Sequence, residues 1–268
     1  MIRNLIACLM IFQTYIQAEI IEVNSFDEIT KYVADDTLVI LDIDDTLLIP
    51  VQTLGTDVWF CDRHARHKAT LPPEEALDRA LAEWEGIRHL TEVKLVEPST
   101  NEVVAELQKT NVVMGLTTQG LALATRTEQQ LKKLGIDLRR SAPSQEDYYF
   151  INQHGVLYRA GILFTSGTPK GPALMKLLNQ MDYHPKRVVF INDKKTHLAD
   201  VEKSMDEAGI EFIGLRYGFS DDRVKNYNYL IAEIQWTESS FDHILSDEEA
   251  AKQIYRICEP TEQKTITN

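Results

Sequence analysis

The sequence predicts an α/β fold, a doubly wound and mainly parallel sheet carrying a mainly helical cap insertion. Three observations point there. Short runs rich in Leu, Val and Ile recur at 37–41, 111–116, 187–191 and 209–215, the pattern of strands buried on both faces. Segments with helical periodicity stand between them, so strand and helix alternate. Acidic or polar residues close the first three runs, at the strand ends where open α/β sheets bind ligands.

In chain order, Met1–Asn4 is a short positive start and Leu5–Phe12 an apolar run, ending at Gln17-Ala18. This is the layout of a secretory signal peptide cleaved after Ala18, too short for a permanent membrane span. Ser25-Phe26-Asp27-Glu28 has capping-box spacing and opens a short helix. The first strand is Thr37–Leu41. The segment 49–110 is rich in helix formers and forms the expected cap; residues 19–48 and 111–268 form the expected core. Pro72-Pro73-Glu74-Glu75 starts a cap helix, with Leu77, Leu81 and Trp84 at helical spacing. Ser99-Thr100-Asn101-Glu102 is a second capping box. The strand at Asn111–Leu116 ends in Thr117-Thr118-Gln119-Gly120, and a helix runs from there to Gly135. Tyr148–Phe150 and Gly155–Phe164 read as strands around a turn. Thr168-Pro169-Lys170-Gly171 opens a helix towards Met181, and the strand Arg187–Ile191 ends in Asn192-Asp193. A helix carrying Leu198, Val201 and Met205, the strand 209–215 and a helix capped at Ser246 complete the chain.

With 268 residues and 44% hydrophobic content, the chain can bury a sizeable core. A formal net charge of −13 and no basic run argue against nucleic acid or anionic lipid as partners. Cys8 would leave with the signal peptide. Cys61 and Cys258 then form an even pair, so one disulfide is possible and two free thiols equally so. Export without an anchor implies a periplasmic or secreted location.

The chemistry concentrates in Asp42-Ile43-Asp44-Asp45-Thr46. Asp42 and Asp44 are two apart, so an extended chain sends both carboxylates to one face. A divalent cation with oxygen ligands compensates for their repulsion. An apolar strand followed by Asp-x-Asp-x-Thr resembles the first motif of the haloacid dehalogenase (HAD) superfamily. Three further elements follow that family's order: a strand ending in Thr117, Lys170 near a helix start, and a strand ending in Asn192-Asp193.

The resemblance implies a Rossmann-like HAD core and a Mg2+-dependent phosphomonoester hydrolase acting on a small-molecule phosphate ester. Asp42 would be the nucleophile, Asp44 the general acid and base, Thr117 and Lys170 the phosphate-binding groups. Asp42, the main-chain carbonyl of Asp44, and Asp193 would hold the metal. Asp44 is the residue that favours phosphoryl chemistry over dehalogenation, because an alkoxide leaving group needs a proton. Export and the same motif resemble periplasmic acid phosphatases more loosely. Departures are Asn192, His197 and Leu198, where relatives carry acids, and Gln119; Asp200 stands farther along as a water-mediated substitute. They leave open a catalytically weak binding protein, and the same residues could serve a phosphotransferase. Trp59, Arg63, His64, His67 and Trp84 are candidates to line the cap, and Cys61, His64 and His67 more plausibly form helix surface than a metal site.

Overall fold

The computed structural model describes residues 19–258, the side chains of 255–258 excepted. The signal-peptide expectation at 1–18 and the side chain of Cys258 therefore lie outside the described residues.

The expected doubly wound, mainly parallel sheet is present. Its eight strands are β1 (Glu19–Val23), β2 (Thr37–Leu41), β5 (Val112–Thr117), β6 (Tyr148–Asn152), β7 (His154–Arg159), β8 (Ile162–Phe164), β9 (Arg187–Asn192) and β10 (Glu211–Tyr217). Their order across the sheet is β1-β10-β9-β2-β5-β8-β7-β6. All neighbours from β1 to β8 pair in parallel, and the β6–β7 hairpin adds an antiparallel margin. A two-stranded ribbon, β3 (Leu48–Pro50) with β4 (Val93–Leu95), stands apart.

Strand β2 is central and every residue of it is buried. Val39 and Leu41 enter one apolar cluster, Leu38 and Ile40 the other. Alternate side chains thus feed opposite layers, which is why the strand reads as a continuous apolar run rather than an alternating one. Helices α3 (Thr100–Leu107) and α4 (Ala124–Lys133) cover the first layer. Helices α5 (Lys170–Gln180) and α6 (Lys195–Ala208) cover the second.

Of the segment 49–110, helices α1 (Asp57–Lys68) and α2 (Pro73–Leu90) stand above the strand ends with a buried cluster of their own, while α3 and the β3–β4 ribbon pack into the sheet layer. After β10 come α7 (Asp221–Lys225), α8 (Tyr229–Glu238) and α9 (Asp247–Cys258). Helix α8 closes over α1: Trp59, Trp84 and Ala232 share one buried cluster, and the Trp59 and Trp236 rings lie 5.7 Å apart.

Two capping expectations need qualification. At Ser25 the box is made, with Glu28 Oε1 accepting from the Asn24 and Ser25 amides, but it opens a 3-10 turn at Phe26–Lys31. At Ser99 the helix forms without the box: Ser99 already has helical φ/ψ and its side chain accepts nothing from the first turn. Glu102 N donates to Asn101 Oδ1 instead.

Candidate active site

The carboxyl ends of β2, β5 and β9 lie side by side, because Leu41 pairs with both Gly115 and Ile191. Asp42 follows β2, Thr117 ends β5, and Asn192 ends β9 with Asp193 next to it. Helix α5, entered from β8, delivers Lys170 at its first residue. Lys170 Nζ lies 2.5 Å from Asp42 Oδ1, and both residues are buried. The same Nζ stands 5.4 Å from the Phe190 ring centroid. A buried lysine needs such partners, since an unpaired ammonium in low dielectric is costly.

The chain turns sharply after Asp42. Asp45 takes φ 58°, a left-handed conformation that Asp tolerates better than most residues. Its amide donates to Leu48 O, Ser220 Oγ donates to its carbonyl, and Arg223 pairs with its carboxylate. Burial nevertheless pushes the Asp45 carboxyl up to about 6, outweighing Arg223.

Beyond that turn Asp44 has partners other than Lys170. Gln119 Nε2 donates to Asp44 Oδ2 at 2.7 Å, and Thr127 Oγ1 donates to Gln119 Oε1 at 2.6 Å. The main-chain N–H of Gln119 donates to Thr117 Oγ1. Arg88, from cap helix α2 and 1% exposed, sets Nη2 2.8 Å from Asp44 Oδ1. The angles are not those of a hydrogen bond, so this is an ion pair by distance alone.

Asp193 faces the same centre. Burial, then the neighbouring Asp42, pushes its carboxyl up to about 8; burial raises Asp42 as well, against the pull of Lys170. Lys194 spans from the β9 end to Asp57 of α1, tying core to cap. Asn192 is fully buried; its Oδ1 accepts from Lys194 N at 2.7 Å and its Nδ2 lacks a partner. His197 lines the cavity with Nδ1 unpartnered, and burial drives it down to about 3, so it is neutral. Asp200 is not free to supply a charge to the site: its Oδ2 accepts from Gly171 N at 2.9 Å at the start of α5.

The cavity enclosed by Asp42, Asp44, Thr117, Asp193 and His197, roofed by Asp57 and Trp84, has a volume of about 20 Å3. That is room for one water. A phosphoryl group needs Trp84 and α2 to yield.

The oxygen donors fit a hard cation. Asp42 is buried and Asp193 partly so; burial raises the proton affinity of both and Asp42 raises that of Asp193 further, the mark of a site short of positive charge. Mg2+ needs only one or two carboxylates beside carbonyls and waters. The Asp44 carboxyl is taken by Gln119 and Arg88, so its contribution would be the expected main-chain carbonyl.

The five residues singled out in the sequence, Asp42, Asp44, Thr117, Lys170 and Asp193, are thus brought together. Of the cap candidates only Trp84 reaches the cavity. Trp59 is core, His64 stacks on Phe60, and Arg63 and His67 both bind Glu83. Among the described residues no group of three or more His, Cys, Asp or Glu side chains is arranged to hold a metal ion, and Cys61 is exposed. Arg88 was not anticipated. Its signal is spacing: 77, 81, 84 and 88 form one helical stripe, and a charge that continues an apolar stripe has a buried partner to find.

Relatives align over most of the chain. A provisionally named outer membrane protein of Chlamydia pneumoniae is 27% identical over 235 residues, covering 83% of this chain and 86% of its own. One from Chlamydia trachomatis is 24% identical over 238 residues, covering 87% and 88%. Among solved structures, a haloacid dehalogenase-like hydrolase from Streptococcus pneumoniae is similar at TM-score 0.42 and 14% identity, covering 66% of this chain and 93% of that one. A HAD family hydrolase from Deinococcus radiodurans, with bound phosphate and sodium, is similar at TM-score 0.37 and 15% identity, covering 66% and 79%. No helix among the described residues is long and apolar enough to cross a membrane. The family described as protein of unknown function DUF2608 matches residues 22–251, and the chain belongs to that family.

Proposed function

We propose that this protein is a HAD-type phosphomonoester hydrolase working through an aspartyl-phosphate on Asp42, with Mg2+ as its cofactor. The observation that carries the reading is the buried Lys170–Asp42 pair at the end of the central strand, with Asp193 beside it and Asp44 held separately. A bare structural role gives no reason to bury a lysine–carboxylate pair and set a second, largely desolvated carboxylate beside it.

In the reaction, an Asp42 oxygen attacks phosphorus and the bond to the ester oxygen breaks. Asp44 gives its proton to the departing oxygen, which leaves as an alcohol. Asp44 then takes a proton from water as the water oxygen attacks phosphorus, releasing phosphate and restoring the Asp42 carboxylate. Lys170 and the Thr117 loop bind phosphoryl oxygens. Asp42, Asp193 and the Asp44 carbonyl would hold Mg2+, which neutralises charge on those oxygens.

Arg88 favours a second reading. Its guanidinium sits on the oxygen that would deliver the proton, as in a binding protein whose cap stays shut. Export through residues 1–18 is also proposed; the names of the Chlamydia relatives support it, and cleavage after Ala18 would leave β1 as the first element.

Hydrolysis of an aryl phosphate by the chain lacking residues 1–18, with Mg2+ or with chelator, tests the reading. Turnover that needs metal and is lost in Asp42→Asn is expected. Absence of turnover across pH and a panel of phosphate esters would favour the binding protein, and phosphoryl transfer to added alcohols would make it a transferase.

A further inference from the structure

Beside the carboxylates a second hollow of about 680 Å3 opens between cap and core. It shares Asp57, Trp84 and Thr118 with the small catalytic cavity, so a group leaving Asp42 along that wall enters it. Its volume is that of a small-molecule site.

The walls are apolar. Leu77, Leu81 and Trp84 of α2, Phe60 of α1 and Leu121 of the core face the space. Leu77 and Leu81 are each 37% exposed although they lie on the inward stripe of α2, because that stripe looks into the hollow rather than into protein. The stripe then continues through Trp84 to Arg88 at Asp44, so one helix face runs from the hollow to the catalytic carboxylate.

The charges are one-sided. Asp57, Asp78, Glu85 and His154 are the ionisable residues of the lining, and it contains no lysine or arginine. Asp57 is matched by Lys194; among the described residues Asp78 and Glu85 have no such ion pair, His89 being the basic group that acts on Glu85. Glu85 is half-buried and lies so close over the loop after β5 that a Cβ at Gly120 would collide with its Oε1.

We propose that this hollow is the leaving-group site and takes an apolar alcohol of aromatic size, uncharged or bearing an amine, while rejecting alcohols that carry a second phosphate or a carboxylate. The inference rests on the phosphomonoesterase reading. An anionic group would shed water against apolar walls and meet Asp78 and Glu85 with no lysine or arginine of the lining to offset them. An ammonium meets the opposite field.

Three phenyl phosphates with para-methyl, para-carboxymethyl or para-aminomethyl groups test this, since the methylene insulates the phenol from the charge. The carboxymethyl ester is expected to have a kcat/KM about tenfold or more below the methyl ester, and the aminomethyl ester to match or exceed it. The gap should narrow in high salt and in the double variant Asp78→Asn, Glu85→Gln. Equal turnover of the anionic ester at low salt, or a gap unchanged in the double variant, would overturn the proposal.

The free phenols give a readout independent of catalysis, by saturation-transfer NMR without metal. Binding of 4-(aminomethyl)phenol but not 4-(carboxymethyl)phenol, lost in Leu81→Asp, supports the site even if no ester is hydrolysed; in that case only the hydrolase reading fails. Turnover of all three esters with no phenol preference would sink the site and keep the hydrolase.

Discussion

Lys170 and Asp42 each make the other tolerable inside the protein. With the lysine removed, a buried carboxylate keeps its desolvation cost and loses its largest offset. Lys170→Met is therefore expected to cost about 3 kcal/mol or more of stability. Turnover should fall about a hundredfold. Urea midpoints and kcat on one aryl phosphate check both, and a variant that is stable and fully active would remove Lys170 from the site. Gln119 acts on Asp44 rather than on substrate. Gln119→Leu frees the Asp44 carboxyl from the Thr127–Gln119 chain and should lower kcat roughly tenfold with little change in KM. Gln119→Glu would replace the donor with a second carboxylate and should do worse; equal kcat in all three proteins would show that the contact does not position Asp44.

At the scale of elements, the site depends on how closely α5 approaches α6. A Cβ on Gly171 would lie 2.4 Å from both Asp200 O and Ser204 Oγ. Gly171→Ala must push α5 outward, carrying Lys170 from Asp42 and stretching the Gly171–Asp200 bond. We expect a loss of about 1–3 kcal/mol and a fall in kcat, seen together in thermal melts and steady-state rates; unchanged values would mean that α5 has slack. The strands and the acids at their ends were legible because the information is local: a buried strand is a short apolar run, and its carboxyl end is the next residue. Lys170 was legible only through the order of motifs. Arg88 was not, because its partner lies 44 positions back on another layer, and a charged residue within a helix ordinarily faces solvent. Strand β1 was missed for a similar reason. Glu19-Ile20-Ile21-Glu22-Val23 is a segment whose only strand partner among the described residues is β10, almost two hundred residues on. His197 stands where an acid was looked for, and its neutrality leaves Asp193 to supply the charge from β9.

The whole molecule holds its cap from two sides. The β3–β4 ribbon joins it to the sheet, α8 grips α1 through Trp236 and the Arg66–Glu233 pair, and Tyr227, just before α8, adds an Oη donation to Asp62 at 3.2 Å. Gln235, fully buried, accepts from Leu54 N at 2.9 Å and donates to Leu245 O at 2.9 Å, fastening the entry of the cap to the start of α9. Electrostatics give a global signature too. Asp193 and Asp42 have raised carboxyls in the folded chain, so it holds protons that the unfolded chain releases near pH 4. Their contribution to stability is complete below that value and is lost as pH rises through the folded-state range, up to about 8 for Asp193. The Tm in chelator should fall as pH is raised across that window, and Mg2+ should restore it more at the upper end than at the lower. A Tm indifferent to Mg2+ at the upper end would refute the metal assignment.

The central claim is that Asp42 carries the phosphoryl group, and borohydride trapping followed by peptide mass spectrometry reads it directly. Acyl phosphates are reduced to alcohols, so protein quenched during turnover of an aryl phosphate should show homoserine at position 42, and the same protein without substrate should not. Rapid turnover with an unmodified Asp42 in every quenched sample would contradict the account, because the ester would then be hydrolysed without covalent attack by the residue on which the whole site converges.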